Sequence, residues 1–247
     1  MRECEVQLET EFDLVEVSFY GSSVVSEDRQ IGLAALPAVI RMHSWRYRHV
    51  KRAMDIAGAL MMMMVTLVPG MIIAAAVAFT SKGSIFYRET RIGRNGRPFR
   101  IWKFRSMHVK PEWQESYTTR YSSGTLLHWR VHKVHCDPRI TPIGGFLRRW
   151  SLDELPQLLN VLQGDMSLIG PRPVTEAEVP FYGQLRHYYL AATPGLSGLW
   201  QVSGRSNVTF ITRANLDAHY VRNWTLLTDL SIIFRTIPAV LGRVGAR

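Results

Sequence analysis

Residues 56–79 read IAGALMMMMVTLVPGMIIAAAVAF, 24 consecutive positions without a charged side chain. As a helix rising 1.5 Å per residue the stretch is about 36 Å long, enough for the ~30 Å hydrocarbon core of a bilayer. A core helix of a globular domain is usually shorter, about 10–14 residues, so the stretch is read as lipid-embedded. Its flanks decide how it sits there. Arg41, Arg46, Arg48, Lys51 and Arg52 precede it, and Lys82, Arg88, Arg91, Arg94, Arg97, Arg100, Lys103 and Arg105 follow. Cytoplasmic flanks are the ones enriched in Lys and Arg, so basic residues at both ends conflict with a simple crossing. A helix that enters and leaves on one side removes the conflict. Val68-Pro69-Gly70, near the middle, supplies the break, because proline donates no amide and clashes with the preceding turn. The expectation is a re-entrant, monotopic helix-break-helix over residues 45–81, both ends on the cytoplasmic side.

Outward from that segment, charge divides the chain of 247 residues. Residues 1–40 hold eight acids against Arg2 and Arg29, which leaves 28 bases and 12 acids for residues 41–247. The first part has no basic run ahead of an apolar one, so no secretory signal peptide is expected there. Residues 1–44 are read as an acidic, mobile tail. The basic remainder expects an anionic partner: nucleic acid, a membrane surface or a phosphorylated substrate. Nucleic acid leaves the apolar segment unexplained and is set aside. A hydrophobic fraction of 47% excludes disorder of the whole chain. Two cysteines, Cys4 and Cys136, make no disulfide framework.

Residues 82–247 read as a soluble domain of mixed pattern. Ser84–Arg88 and Phe99–Phe104 are predicted strands about Asn95-Gly96, a hairpin-turn signal. Residues 175–192 and 213–241 are predicted helical. Leu226–Leu241 is too short and too charged to span, and is expected to lie on the bilayer surface or to pack on the domain. His128, His132, His135 and Cys136 match no closed zinc pattern and are read as a solvated basic face. No glycine-rich P-loop suggests an NTPase.

Ser151-Leu-Asp-Glu154 has the spacing of a capping box, with Ser151 as the N-cap and Glu154 at the third helical position. Asp153 would then be a carboxylate favoured by the helix dipole. The same two carboxylates could hold a divalent cation, and one could attack a phosphoryl group. Spacing leaves both readings open. Such an attack needs charge compensation, for which Arg148, Arg149 and Arg172 are candidates. Arg172 stands between prolines in Gly170-Pro171-Arg172-Pro173, a stiff turn that presents a planar guanidinium suited to phosphate.

Taken together, Lys51-Arg52-x-x-Asp55, the apolar segment, Phe86-Tyr87-Arg88-x3-Ile92-Gly93, KFRSM (103–107), DPRIT (137–141), SLDELPQLLNVLQGDMSLIGPRP (151–173) and PGLSGLWQVSGR (194–205) resemble the bacterial sugar transferases, small monotopic phosphoglycosyl transferases. The resemblance covers roughly residues 48–240 and is strongest toward galactosyl- and glucosyl-phosphate transferases of rhizobial-type exopolysaccharide pathways. It implies an α+β, mainly helical fold: the re-entrant helix, a small cytosolic catalytic domain over 82–247 with a short β-hairpin, and interfacial amphipathic helices. The implied reaction moves sugar-1-phosphate from a UDP-sugar to undecaprenyl phosphate and releases UMP. Residue by residue, it makes Asp153 the nucleophile of a covalent phosphosugar intermediate and Glu154 its partner, with Mg2+ at Asp153 and Glu154. Arg172 would hold phosphate, Lys103, Arg105 and Arg148 would bind diphosphate or polyprenyl phosphate, and Arg205 the nucleotide end. The implied location is the cytoplasmic face of the bacterial inner membrane, beside downstream glycosyltransferases. Val68 stands where many relatives have Ser, and Ser106 where they have Thr. The competing reading is a catalytically silent scaffold or regulator of polysaccharide assembly, against which the intact Asp-Glu dyad argues.

Overall fold

A computed structural model describes residues 35–108, 139–204 and 208–241. Residues 35–42 form α1, and a π-type turn at Arg46–Lys51 leads into α2, Arg52–Thr80. A hairpin follows, β1 (Phe86–Ile92) and β2 (Pro98–Phe104), antiparallel with Phe86 opposite Phe104 and Ile92 opposite Pro98. Asn95 and Gly96 both take positive φ, 58° and 74°, as a tight Asn-Gly connection requires. β1 runs further into the turn than its residues suggested.

The second half carries α3 (Pro142–Arg149), a 3-10 turn (Leu152–Glu154), α4 (Gln157–Gln163) and β3 (Ser167–Ile169). It continues through a 3-10 segment (Glu176–Leu185), α5 (Arg186–Ala191), β4 (Gly195–Ser197), α6 (Leu199–Val202), α7 (Phe210–Arg222) and α8 (Leu226–Leu241). β3 and β4 make a two-stranded parallel pair. The architecture is α+β and mainly helical, with helices packed around two small sheets.

α2 sets the plan. One narrow face is buried: Ala59 packs with Ile101, Leu158, Val161 and Met166, while Ile73 and Val77 pack with Phe104 and Leu147. The rest of its apolar length stands free, with Met64 80% and Val65 72% exposed. The helical run Arg46–Thr80 is long and apolar enough to cross a membrane, and only 11% of its most apolar window is buried. A core helix of a soluble domain would hide most of that surface. The break expected at Val68-Pro69-Gly70 does not occur: α2 runs through it as one helix, with Pro69 inside. Lost proline hydrogen bonds are tolerated in membrane helices.

Part of the segment read as a tail is not tail. Ala35, Ala38 and Met42 of α1 are buried against Tyr188, Ala191, Tyr220, Trp224 and Ile232, so residues 35–42 belong to the folded domain. Residues 1–34 lie outside the described residues. α8 packs on the domain, the second of its two expectations: Asp229 and Ile232 face inward, while Leu227, Leu230, Phe234 and Ile237 form an exposed apolar stripe.

Candidate active site

The dyad does not cap a helix. Ser151 sits in the left-handed region (φ 56°, ψ 22°) and its side chain makes no cap bond. Leu152–Glu154 is a single 3-10 turn, and α4 begins only after Pro156. The capping-box reading is therefore overturned, together with its helix-dipole argument, because Glu154 turns to a cation instead of back to the backbone. A true capping box, read from sequence only as part of a helical stretch, lies at Thr175 and Glu178.

Glu154 Oε1 accepts from Lys103 Nζ at 2.8 Å, and Arg172 Nη1 lies 3.9 Å from the same oxygen. Two backbone devices bring these groups together. Asn160 of α4, fully buried, accepts from Trp102 N (3.0 Å) and donates to Arg100 O (2.8 Å), so α4 completes the open edge of β2 and sets Lys103 beside the dyad. The Gly170-Pro171-Arg172-Pro173 turn is zipped to Pro194–Gly198 through Gly170 N to Ser197 O (2.9 Å) and Gly195 N to Pro171 O (2.8 Å). A Cβ on Gly195 would lie 2.0 Å from Gly170 N, so this approach admits only glycine. Arg172 rests with its guanidinium carbon 5.5 Å from the centre of the buried Trp200 ring, within cation–π range.

The two carboxyls are pushed apart. Burial raises the pKa of Asp153 and the negative charge of Glu154 adds to the rise, while Lys103 and Arg148 pull against both. Burial would raise Glu154 too, but Lys103 and then Arg172 outweigh it and take Glu154 down to about 2. Asp153 is thus the more basic of two adjacent carboxylates, and Glu154 is a fixed anion.

A cleft opens beside the dyad, lined by Glu154, Lys103, Arg172, Arg91, Gln157 and Gln201 among others. Lys103 and Arg172 stand in it, and Arg148 acts on Asp153 from α3. Arg105 does not join them. It is buried, and its guanidinium donates to Ser81 Oγ, Ser81 O, Val77 O and Ser84 O, so it caps the C-terminal end of α2. Arg205 and the His128–Cys136 cluster lie outside the described residues. Arg91, Gln157 and Gln201 were missed, since nothing in their spacing separates them from flanking bases and surface amides.

Among the described residues no three His, Cys, Asp or Glu side chains gather as a metal cage. Asp153 and Glu154 alone still fit Mg2+, which in phosphate sites takes one or two carboxylates and completes its shell with phosphate oxygens and water.

Residues 46–243 match the bacterial sugar transferase family. The exopolysaccharide production protein ExoY of Sinorhizobium fredii is 45% identical over 196 residues, 77% of this chain and 84% of that protein. The UDP-galactose-lipid carrier transferase of Erwinia amylovora is 45% identical over 205 residues, 83% of this chain and 42% of that longer protein. The undecaprenyl-phosphate galactose phosphotransferase of Salmonella typhimurium is 43% identical over 200 residues, 81% of this chain and 42% of that protein.

Proposed function

The chain belongs to the bacterial sugar transferase family, and we propose that it moves sugar-1-phosphate, with galactose or glucose as the sugar, from a UDP-sugar to undecaprenyl phosphate as the first membrane step of exopolysaccharide assembly. The names of its relatives support the substrates. The observation that carries the chemistry is the geometry of the dyad. Asp153 stands next to Glu154, which holds Lys103 at 2.8 Å and has Arg172 at 3.9 Å beside a cationic cleft, so a carboxylate nucleophile and the charge compensation a two-step phosphoryl exchange needs lie together.

In the first step an Asp153 carboxylate oxygen attacks the phosphorus that bears the sugar. The bond from that phosphorus to the bridging oxygen breaks, and UMP leaves with the electron pair. In the second, a phosphate oxygen of undecaprenyl phosphate attacks the same phosphorus and returns the Asp153 carboxylate. Lys103 and Arg172 offset the charge of the diphosphate as it redistributes. Glu154 keeps those two cations in place and, being ionised, holds Asp153 basic. Mg2+ held by Asp153 and Glu154 would supply further charge neutralisation at the diphosphate.

The reaction sits at a membrane, on the cytoplasmic face of the inner one, because the acceptor is a lipid while the donor is soluble. The exposed apolar length of α2 and the outer stripe of α8 support that placement. The testing experiment is UMP release by the full chain in nanodiscs with undecaprenyl phosphate, Mg2+ and a panel of UDP-sugars. Release with one sugar, at least a thousandfold lower in Asp153→Asn, is the expected result, on the scale seen when a nucleophile is removed. Undiminished release in Asp153→Asn returns Asp153 to a purely structural role and rejects the reaction as written.

A further inference from the structure

Arg91 was one of eight bases following the apolar segment. It lines the cleft with Lys103 and Arg172. Its Nη2 donates to Glu89 at 2.5 Å, and its Nη1 reaches Glu178 Oε2 at 3.3 Å and Pro173 O at 3.4 Å. Its Nε is buried and has no hydrogen-bond partner among the described residues. A buried N–H on a charged group is costly to leave unpaired, so a small turn of the guanidinium that brings Nε to an anion in the cleft is favoured.

The support behind Arg91 is rigid. Glu178 accepts from Thr175 N (2.7 Å) and Thr175 Oγ1 (2.9 Å) as the acid of the capping box, and lies 3.8 Å from the buried Arg213. The peptide after Arg91 is pinned to the Arg172 turn, with Ile92 N donating to Val174 O at 2.9 Å and Tyr189 Oη touching both segments. Three cations and a single carboxylate, Glu154, then face one cleft. Like charges gathered at a fixed site suit a multiply charged anion.

We propose that Arg91 is a further phosphate-binding residue of this cleft, taking an oxygen of the donor diphosphate or of the lipid phosphate beside Lys103 and Arg172, and that Glu178 positions it. The proposal rests on the reading of the cleft as a phosphoryl-transfer site. Loss of a charge-assisted hydrogen bond to phosphate amounts to roughly ten- to a hundredfold in affinity.

The test uses the full chain in nanodiscs as wild type, Arg91→Gln, Arg91→Lys and Glu178→Gln, each checked for an unchanged melting temperature. Measured are UMP formed in the first turnover from UDP-sugar alone, KM for each substrate, and calorimetric binding of pyrophosphate. Arg91→Gln should raise one KM roughly ten- to a hundredfold, with Arg91→Lys between it and wild type because charge survives without the planar fork. Glu178→Gln should move the same KM by less. A change in donor KM and in first-turnover UMP assigns the donor diphosphate, and a change in acceptor KM alone assigns the lipid phosphate. Both KM values and pyrophosphate binding within twofold of wild type would overturn the proposal. Should wild type release no UMP with any donor, the transfer reaction fails by itself. Pyrophosphate binding weakened tenfold by Arg91→Gln would then still uphold the anion site, and equal binding would reject it.

Discussion

Two carboxylates joined by one peptide bond titrate apart here because their neighbours differ. Asp153 is buried and lies next to an anion, whereas Glu154 holds Lys103 at 2.8 Å. A protonated Asp153 cannot attack phosphorus, so UMP formation in the first turnover should fall as pH drops through its raised pKa, at higher pH than an ordinary aspartate would give. Removing the negative neighbour in Glu154→Gln lowers the pKa of Asp153 and should move that acid limb to lower pH. Removing a positive one in Lys103→Met should move it to higher pH. Rapid-quench profiles from pH 4 to 8 give both shifts, and a shift of either variant in the opposite direction rejects the coupling.

At the scale of elements, the charges of Lys51-Arg52-x-x-Asp55 tie the base of α2 to three partners. Lys51 Nζ meets Asp229 Oδ2 of α8 at 2.7 Å, and Asp229 also accepts from Tyr220 Oη (2.7 Å) and Trp224 Nε1 (3.1 Å). Arg52 donates to the carbonyls of Val161 and Leu162 at the end of α4. Asp55 accepts from Ser167 Oγ (2.9 Å) and Leu168 N (3.1 Å) at β3. Lys51 and Asp229 are both almost wholly buried, so removing one leaves an uncompensated charge. Lys51→Met should cost about 3–5 kcal/mol in denaturant unfolding in detergent. Adding Asp229→Asn should recover part of that loss, because the second change removes the orphaned charge. A double variant no more stable than Lys51→Met would show that the two residues are not coupled.

For the whole molecule, the placement of the two ends of α2 follows from charge and contact. The flanks before and after it are both basic, and its buried positions fall toward its two ends, Asp55 and Ala59 toward one and Ile73 and Val77 toward the other, all against the domain. A helix anchored to the same domain at both ends is expected to keep both ends on that domain's side. Single cysteines introduced as Ser44→Cys and Lys82→Cys, in a Cys4→Ser, Cys136→Ser background, should both be shielded from an impermeant maleimide in intact cells and both react after lysis. Labelling of only one in intact cells would establish a crossing.

The sequence alone determined what depends on composition and local chemistry. The uncharged run of 56–79 reads as membrane-seeking because no soluble core needs 24 such positions, and the Asn95-Gly96 hairpin follows from backbone conformations few other pairs adopt. The resemblance of the long central block to sugar transferases brought the family, and with it the dyad and the positions of Lys103 and Arg172. The tertiary structure decided how those charges are used. Arg105 and Lys103 lie two residues apart on one short motif, yet one caps α2 and the other meets Glu154, because β2 ends at Phe104: Lys103 keeps its place in the strand beside the dyad, while Arg105, past the strand's end, turns to the carbonyls at the end of α2. The capping-box spacing of Ser151 and Glu154 failed for a similar reason. A local hydrogen bond competes with a full ionic partner brought by a distant strand, and only packing reveals that the partner is there. Arg91 and Glu178 stand 87 residues apart and meet at the rim of the cleft through a contact that no spacing records.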